Sequence, residues 1–142
     1  MKSNIKNNLM NRYGILMVLL ALAFYVVSSC NDNYPMDEDG LLITDRSECY
    51  VSSFQLLGTD FISVTVGTPD VDTTKCTIEA LVRYGTDLKN LYPQFALVTD
   101  AKLEPKITGL TDFTSLSKQW TVISGNRQVR KTYTVTLTLQ TP

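Results

Sequence analysis

Histidine is absent from all 142 residues. That excludes a Ser-His-Asp or Cys-His catalytic arrangement and any metal site that needs an imidazole ligand. Cysteine is scarce, with only Cys30, Cys49 and Cys76, and the last two alone are too few for a four-thiolate zinc site. There is no Gly-rich phosphate loop and no Gly-x-Ser-x-Gly elbow. No apolar run reaches the roughly 20 residues of a membrane-spanning helix. Basic charge is not in excess either: 13 Lys and Arg stand against 14 Asp and Glu, which argues against nucleic acid or bare anionic lipid as a partner. No cofactor or metal is implied. Carboxylates exist, but nothing in their spacing selects the facing pair that a glycosidase requires. The expectation is a protein that is not an enzyme.

What is present begins with an address. Lys2, Lys6 and Arg12 precede an apolar run of about 13 residues, Ile15 to Val27, and no acid occurs before Asp32. A basic start, a short apolar stretch and small residues before a boundary form the secretory signal pattern. The expected organisation is therefore a signal segment over 1–29, a tether over 30–47 and one folded domain over 48–142. Without the first 29 residues, ten bases face fourteen acids, a formal charge of about −4.

Val27-Ser28-Ser29-Cys30 resembles a bacterial lipobox. The resemblance implies cleavage before Cys30 and a diacylglycerol on its sulfur. Two acyl chains then give lasting membrane attachment, which one chain would not. The segment after it, Asn31 to Gly40, is polar, acidic and turn-prone, and reads as a flexible tether. Within it, Asp37-Glu38-Asp39 resembles the acidic export signal of Bacteroidetes surface lipoproteins, with a merely solvated linker as the alternative. Three adjacent acids lack the alternate spacing of a calcium loop.

From Glu48 onward the periodicity is two. Residues 49–57 read as a strand with Phe54 and Leu56 on one face, Gly58-Thr59-Asp60 as a turn, and Phe61 to Val66 as the returning strand. Cys76, Ile78, Ala80, Val82 and Tyr84 alternate with Thr77, Glu79, Leu81 and Arg83 in a third strand. Gly85 to Pro93 predicts one short helical turn, capped by Thr86 or Asp87 and ended by Pro93. A short strand follows at Phe95 to Val98, then an edge strand broken at Pro105. Trp120 and Val122, then Tyr133, Val135, Leu137 and Leu139, alternate with threonines and polar residues, which predicts an antiparallel hairpin turning at Ser124 to Arg127. About seven short strands without a long amphipathic helix imply an all-β, Ig-like antiparallel β-sandwich.

The order of these pieces resembles Ig-like domains of Bacteroidetes outer-membrane lipoproteins, which stand at the N-terminus of glycan-uptake-associated surface proteins. Gly85 to Pro93, Asp112-Phe113-Thr114 and the Trp120 to Leu139 hairpin carry the resemblance. It implies a lipid-anchored, non-catalytic interaction or spacer module at the outer membrane, facing the cell surface if the acids serve export. The alternative is a glycan-binding accessory lipoprotein of a polysaccharide-uptake system. The partners implied are the membrane through its lipid anchor and envelope proteins or glycans. Cys49 and Cys76 are candidates for a disulfide, against two separate buried thiols. Trp120 and Tyr133 read as core, Tyr92 as the candidate exposed ring, and Asp70 and Asp72 as solvated loop acids rather than calcium ligands.

Overall fold

A computed structural model describes residues 34–142. The signal segment and Val27-Ser28-Ser29-Cys30 lie outside the described residues. The folded unit runs from Pro35 to Pro142 and contains seven strands and no helix among the described residues: β1 (Val51–Leu57), β2 (Asp70–Asp72), β3 (Thr77–Val82), β4 (Tyr92–Leu97), β5 (Lys102–Glu104), β6 (Ser117–Ile123) and β7 (Arg130–Leu139). β1 and β4 form a two-stranded sheet, and the other five form a sheet in the order β2-β3-β7-β6-β5. This is the expected all-β sandwich. Every strand pair is antiparallel except β3 with β7, which is parallel.

The alternation read from the sequence becomes the core. Ile78, Ala80 and Val82 of β3, Trp120 and Val122 of β6, and Tyr133, Val135 and Leu137 of β7 are buried with Phe54 and Leu56 of β1. The threonines opposite them face outward, where the Thr121 and Thr132 hydroxyls meet at 3.0 Å. The β6–β7 hairpin sets Trp120 directly across from Tyr133. Phe95 of the small sheet lies 5.1 Å from Trp120 and Phe113 lies 5.8 Å from it, centroid to centroid, so an aromatic cluster joins the two layers. Phe113 comes from a loop. Its N–H donates to Leu88 O at 2.7 Å, and Thr111 N–H donates to Leu91 O at 2.7 Å, which brings the Gly85–Pro93 and Asp112–Thr114 segments together.

Three expectations are corrected. Phe61 to Val66 is not a strand. It makes one bridge to each layer, Ser63 to Leu57 and Thr65 to Val82, because a segment crossing between two sheets cannot keep a ladder with either. Phe61 begins that crossing at φ 59°. The Gly85–Pro93 segment has no helical turn: the Asp87 carboxylate instead accepts from the Lys89 N–H at 3.0 Å and from the Asn90 amide at 2.7 Å. Pro93 lies inside β4, opposite Leu56, where a two-stranded sheet leaves the other edge free of ladder bonds.

The third correction concerns the tether. From Pro35 onward it is folded onto the body. Ile43 N–H donates to Pro35 O at 2.8 Å and Asp37 N–H to Leu41 O at 2.9 Å, closing a small hairpin turned at Gly40. Beyond it, Thr44 N–H donates to Gly125 O and Asn126 N–H to Arg46 O, which laces the segment to the β6–β7 turn. Gly125 is required there: a Cβ would collide with Thr44 Oγ1 and lie 3.0 Å from Asp100 Cβ.

Candidate functional site

Two features stand out on the surface of the body. The first is the outer face of the β1–β4 ribbon. Pairing sets Gln55 directly opposite Gln94, Ser53 opposite Ala96, and Leu57 opposite Tyr92. With one face turned into the core at Phe54 and Leu56, the row Ser53, Gln55, Gln94, Ala96 is exposed. A shallow depression of about 500 Å³ runs along it, bordered by Ser53, Gln55, Tyr92, Gln94 and Ile107. At its end the Phe61 ring stands edge-on to Tyr92, with centroids 5.8 Å apart. Phe61 is 69% exposed.

No carboxylate, ammonium or guanidinium group lines this depression. Two side-chain amides offer both donors and acceptors, and a phenol and an aromatic face lie beside them. Such a surface can bind a neutral, hydroxyl-rich ligand by hydrogen bonds and ring contact. The Tyr92 phenol is the one titratable group among the residues that border it, and no carboxylate stands beside that phenol.

The second feature is an ion-pair cluster under the N-terminal hairpin. Lys102 Nζ lies 3.0 Å from Asp37 and 2.8 Å from Asp39, and Arg127 Nε lies 2.9 Å from the same Asp37 oxygen that meets Lys102. Lys106 adds a contact to Asp39 at 2.8 Å. The Arg127 guanidinium also donates to the carbonyls of Leu42, Asp100 and Ser124. Burial works against the ionised Asp37, but the Leu41 N–H, then Lys102 and Arg127, outweigh it and hold its carboxyl far below the usual range. Lys102, then Lys106, lowers Asp39. Asp39 and then Asp37 raise Lys102 against the opposing effect of burial. These groups have each other as partners, so the cluster is a clasp rather than a reactive centre.

Of the acids expected to serve export, Asp37 and Asp39 thus have partners within the body, and Glu38 is exposed. Cys49 and Cys76 are both free. Cys49 is buried and donates to Val122 O at 3.1 Å, and burial pushes its thiol upward in pKa. Asp72 caps a turn, accepting from the N–H groups of Thr74 and Lys75, and among the described residues no cluster of acids and cysteines is arranged to hold a metal. Trp120 and Tyr133 are core. Tyr92 is partly exposed at the candidate face, while Tyr84, also exposed, lies outside the depression. Sequence reasoning missed Phe61, which its apolar neighbours disguised as a strand residue. It also missed Lys102 and Arg127, for which no local pattern gives a signal.

The family model described as "SGBP, N-terminal" matches residues 56–137. Among solved structures, the chain is similar to a candidate glycoside hydrolase from Bacteroides thetaiotaomicron, with 28% identity and a TM-score of 0.57 over 67% of this chain and 26% of that one. It is also similar to a candidate secreted protein from Bacteroides fragilis, with 15% identity and a TM-score of 0.48 over 66% of this chain and 97% of that one. A DUF4623 family protein from Bacteroides eggerthii gives 18% identity and a TM-score of 0.49 over 67% of this chain and 22% of that one. No curated protein matches. The chain spans about a quarter of the length of the Bacteroides thetaiotaomicron protein.

Proposed function

Because the chain belongs to the SGBP N-terminal family, we propose that it is a non-catalytic envelope module that contacts neutral glycan through the outer face of its β1–β4 ribbon. Domains of this kind are associated with glycan uptake by Bacteroidetes surface proteins. The observation that carries the finer reading is the exposed Phe61–Tyr92 pair at one end of a depression bordered by Gln55 and Gln94. Sugar rings present apolar C–H faces and many hydroxyls, which match an aromatic face beside amides. The similarity to a candidate glycoside hydrolase does not argue for hydrolysis in this domain, since the depression holds no carboxylate. Affinity electrophoresis against a panel of neutral polysaccharides tests the reading. Retardation by at least one, lost in Phe61→Ala with Tyr92→Ala while circular dichroism is unchanged, supports it; binding that survives both changes refutes the face.

The lipid anchor is the second part of the proposal. Val27-Ser28-Ser29 before Cys30 supports acylation of the cysteine and attachment to the outer membrane. Cys30→Ala should move the protein from the detergent phase to the aqueous phase, and equal partitioning of both forms would refute the anchor. A spacer role is the alternative. It is favoured by the outer face of the large sheet, a plain polar surface where the Gln119 amide donates to the Thr134 hydroxyl at 3.2 Å and the Thr121 and Thr132 hydroxyls lie 3.0 Å apart. Absence of any glycan retardation in an anchored, folded protein would select it.

A further inference from the structure

Only Asn31 to Tyr34 separate Cys30 from Pro35, where the folded unit begins. The five residue steps from Cys30 to Pro35 span at most about 18 Å even when fully extended. β7, with its ten residues, is about 34 Å long. An anchor at Cys30 therefore cannot hold the body away from the bilayer by more than about half the body's own length. The part of the body that lies first on the chain is the Met36–Leu42 hairpin.

That hairpin presents an unexplained apolar surface. Met36 is 64% exposed, Leu41 42% and Leu42 43%. Met36 and Leu42 are bridge partners, so their side chains leave the hairpin on the same side. Asp37 turns into the clasp with Lys102 and Arg127. Leu41 borders an apolar depression of about 380 Å³ with Phe95, Leu97, Leu103 and Ile107. Single exposed apolar residues are ordinary; here Met36 and Leu42 stand side by side on the outer face of the hairpin, while Leu41 lies on the face turned toward the body. The hairpin is also held in place: Arg127 donates to Leu42 O at 3.0 Å and to Asp37 at 2.9 Å. Asp37, Glu38 and Asp39 are locally balanced by Lys102, Lys106 and Arg127, so an anionic headgroup layer would not repel it strongly.

We propose that the Met36–Leu42 hairpin is a membrane-contact surface, seated on the bilayer that holds the acyl chains of Cys30. The inference rests on the lipid-anchor reading. It also orients the body. The segment after the hairpin is laced to the β6–β7 turn at Gly125 and Asn126, and β7 runs away from that turn. Tyr84 follows β3, which runs parallel to β7, so it lies at the opposite end. Tyr92 lies at that end too. It pairs with Leu57 at the end of β1, whereas Val51 at the start of β1 donates to the Tyr133 hydroxyl. The Phe61–Tyr92 pair consequently faces away from the membrane, toward approaching ligand.

The test uses the full acylated protein in a Cys76→Ser background, in nanodiscs made with brominated-chain phospholipid. An environment-sensitive fluorophore is attached at Leu42→Cys or at Tyr84→Cys, and flotation of the same samples reports the anchor. The Leu42→Cys probe should shift to the blue and lose most of its emission to bromine, while the Tyr84→Cys probe stays as in water. A sample that does not float overturns the anchor and this inference with it. A sample that floats while the Leu42→Cys probe stays water-like overturns the inference alone. A shielded but unquenched Leu42→Cys probe places protein on the hairpin instead, and overturns it as well.

Discussion

Arg127→Met should release the N-terminal hairpin from the sandwich. In the native protein the guanidinium is 15% exposed and makes four bonds: to the Asp37 carboxylate at 2.9 Å and to the carbonyls of Leu42, Asp100 and Ser124 at 2.9 to 3.0 Å. Hydrogen bonds to a charged group contribute about 1.5–3 kcal/mol, and breaking a buried pair costs about 3–5 kcal/mol. Two facts bring the expected cost toward the lower end. Lys102 stays 3.0 Å from Asp37, and the Ser124 carbonyl keeps the Arg127 backbone N–H at 3.0 Å. Residue 127 sits at φ 62°, but methionine and arginine bear that strain alike, so the backbone cost cancels. A loss of about 2–3 kcal/mol follows, or a fall in Tm of roughly 10–20 °C for a domain of this size. Urea unfolding measures the loss. Hydrogen exchange locates it, since the amides of Asp37, Ile43 and Thr44, bonded to Leu41, Pro35 and Gly125, should lose protection first. A change below about 0.5 kcal/mol, with those amides already exchanging freely in the native protein, would refute the clasp and restore a flexible tether.

Trp120→Ala removes the ring that joins Phe95 to Phe113 and should cost about 3–5 kcal/mol in chemical unfolding. The native tryptophan should emit well to the blue, and a fully red-shifted spectrum would contradict its burial. Gly125→Ala places a Cβ against Thr44 and Asp100 and should cost about 1–3 kcal/mol, read as a lower urea midpoint with loss of Thr44 amide protection. The clasp should also depend on pH. Asp37 and Asp39 titrate below their ordinary 3.8, so their contribution is complete above that value and fades as pH falls through the lowered pKa values. Lys102 titrates above 10.5, so its contribution is complete below 10.5 and is lost as pH rises through the raised value. Exchange protection of the hairpin should therefore hold across neutral pH and fail in strong acid; loss already near pH 6 would count against the ion pairs. Finally, a thiol reagent should label Cys76 well before Cys49, which is buried with its pKa raised; equal rates would contradict that burial.

Much of the fold was legible because alternation is a local property. Tyr133, Val135 and Leu137 between threonines predict a half-exposed strand, and the strand is there with those residues buried. Trp120 and Tyr133 read as core for the same reason. The missed features are those in which distant residues choose the conformation. Phe61 to Val66 has strand-forming residues, yet its neighbours Leu57 and Val82 belong to different sheets, and the crossing breaks the ladder. Pro93 is a terminator by local rules but lies in a strand with a free edge. The candidate face was half legible: Tyr92 could be singled out as a loop-like ring, but Phe61 and Gln55 join it only through the β1–β4 pairing.

The sequence by itself determined the all-β class and the core side of each long strand, because periodicity needs no partner, and it carries the Val27-Ser28-Ser29-Cys30 pattern on which the proposed anchor rests. Only the tertiary structure decided that Asp37 and Asp39 are clasp residues rather than tether residues. Asp37 and Arg127 are separated by 90 positions along the chain, and nothing in an acidic run says which distant cation will desolvate with it. A polar segment reads as flexible until the fold supplies partners for its charges, and here Lys102 and Arg127 supply them.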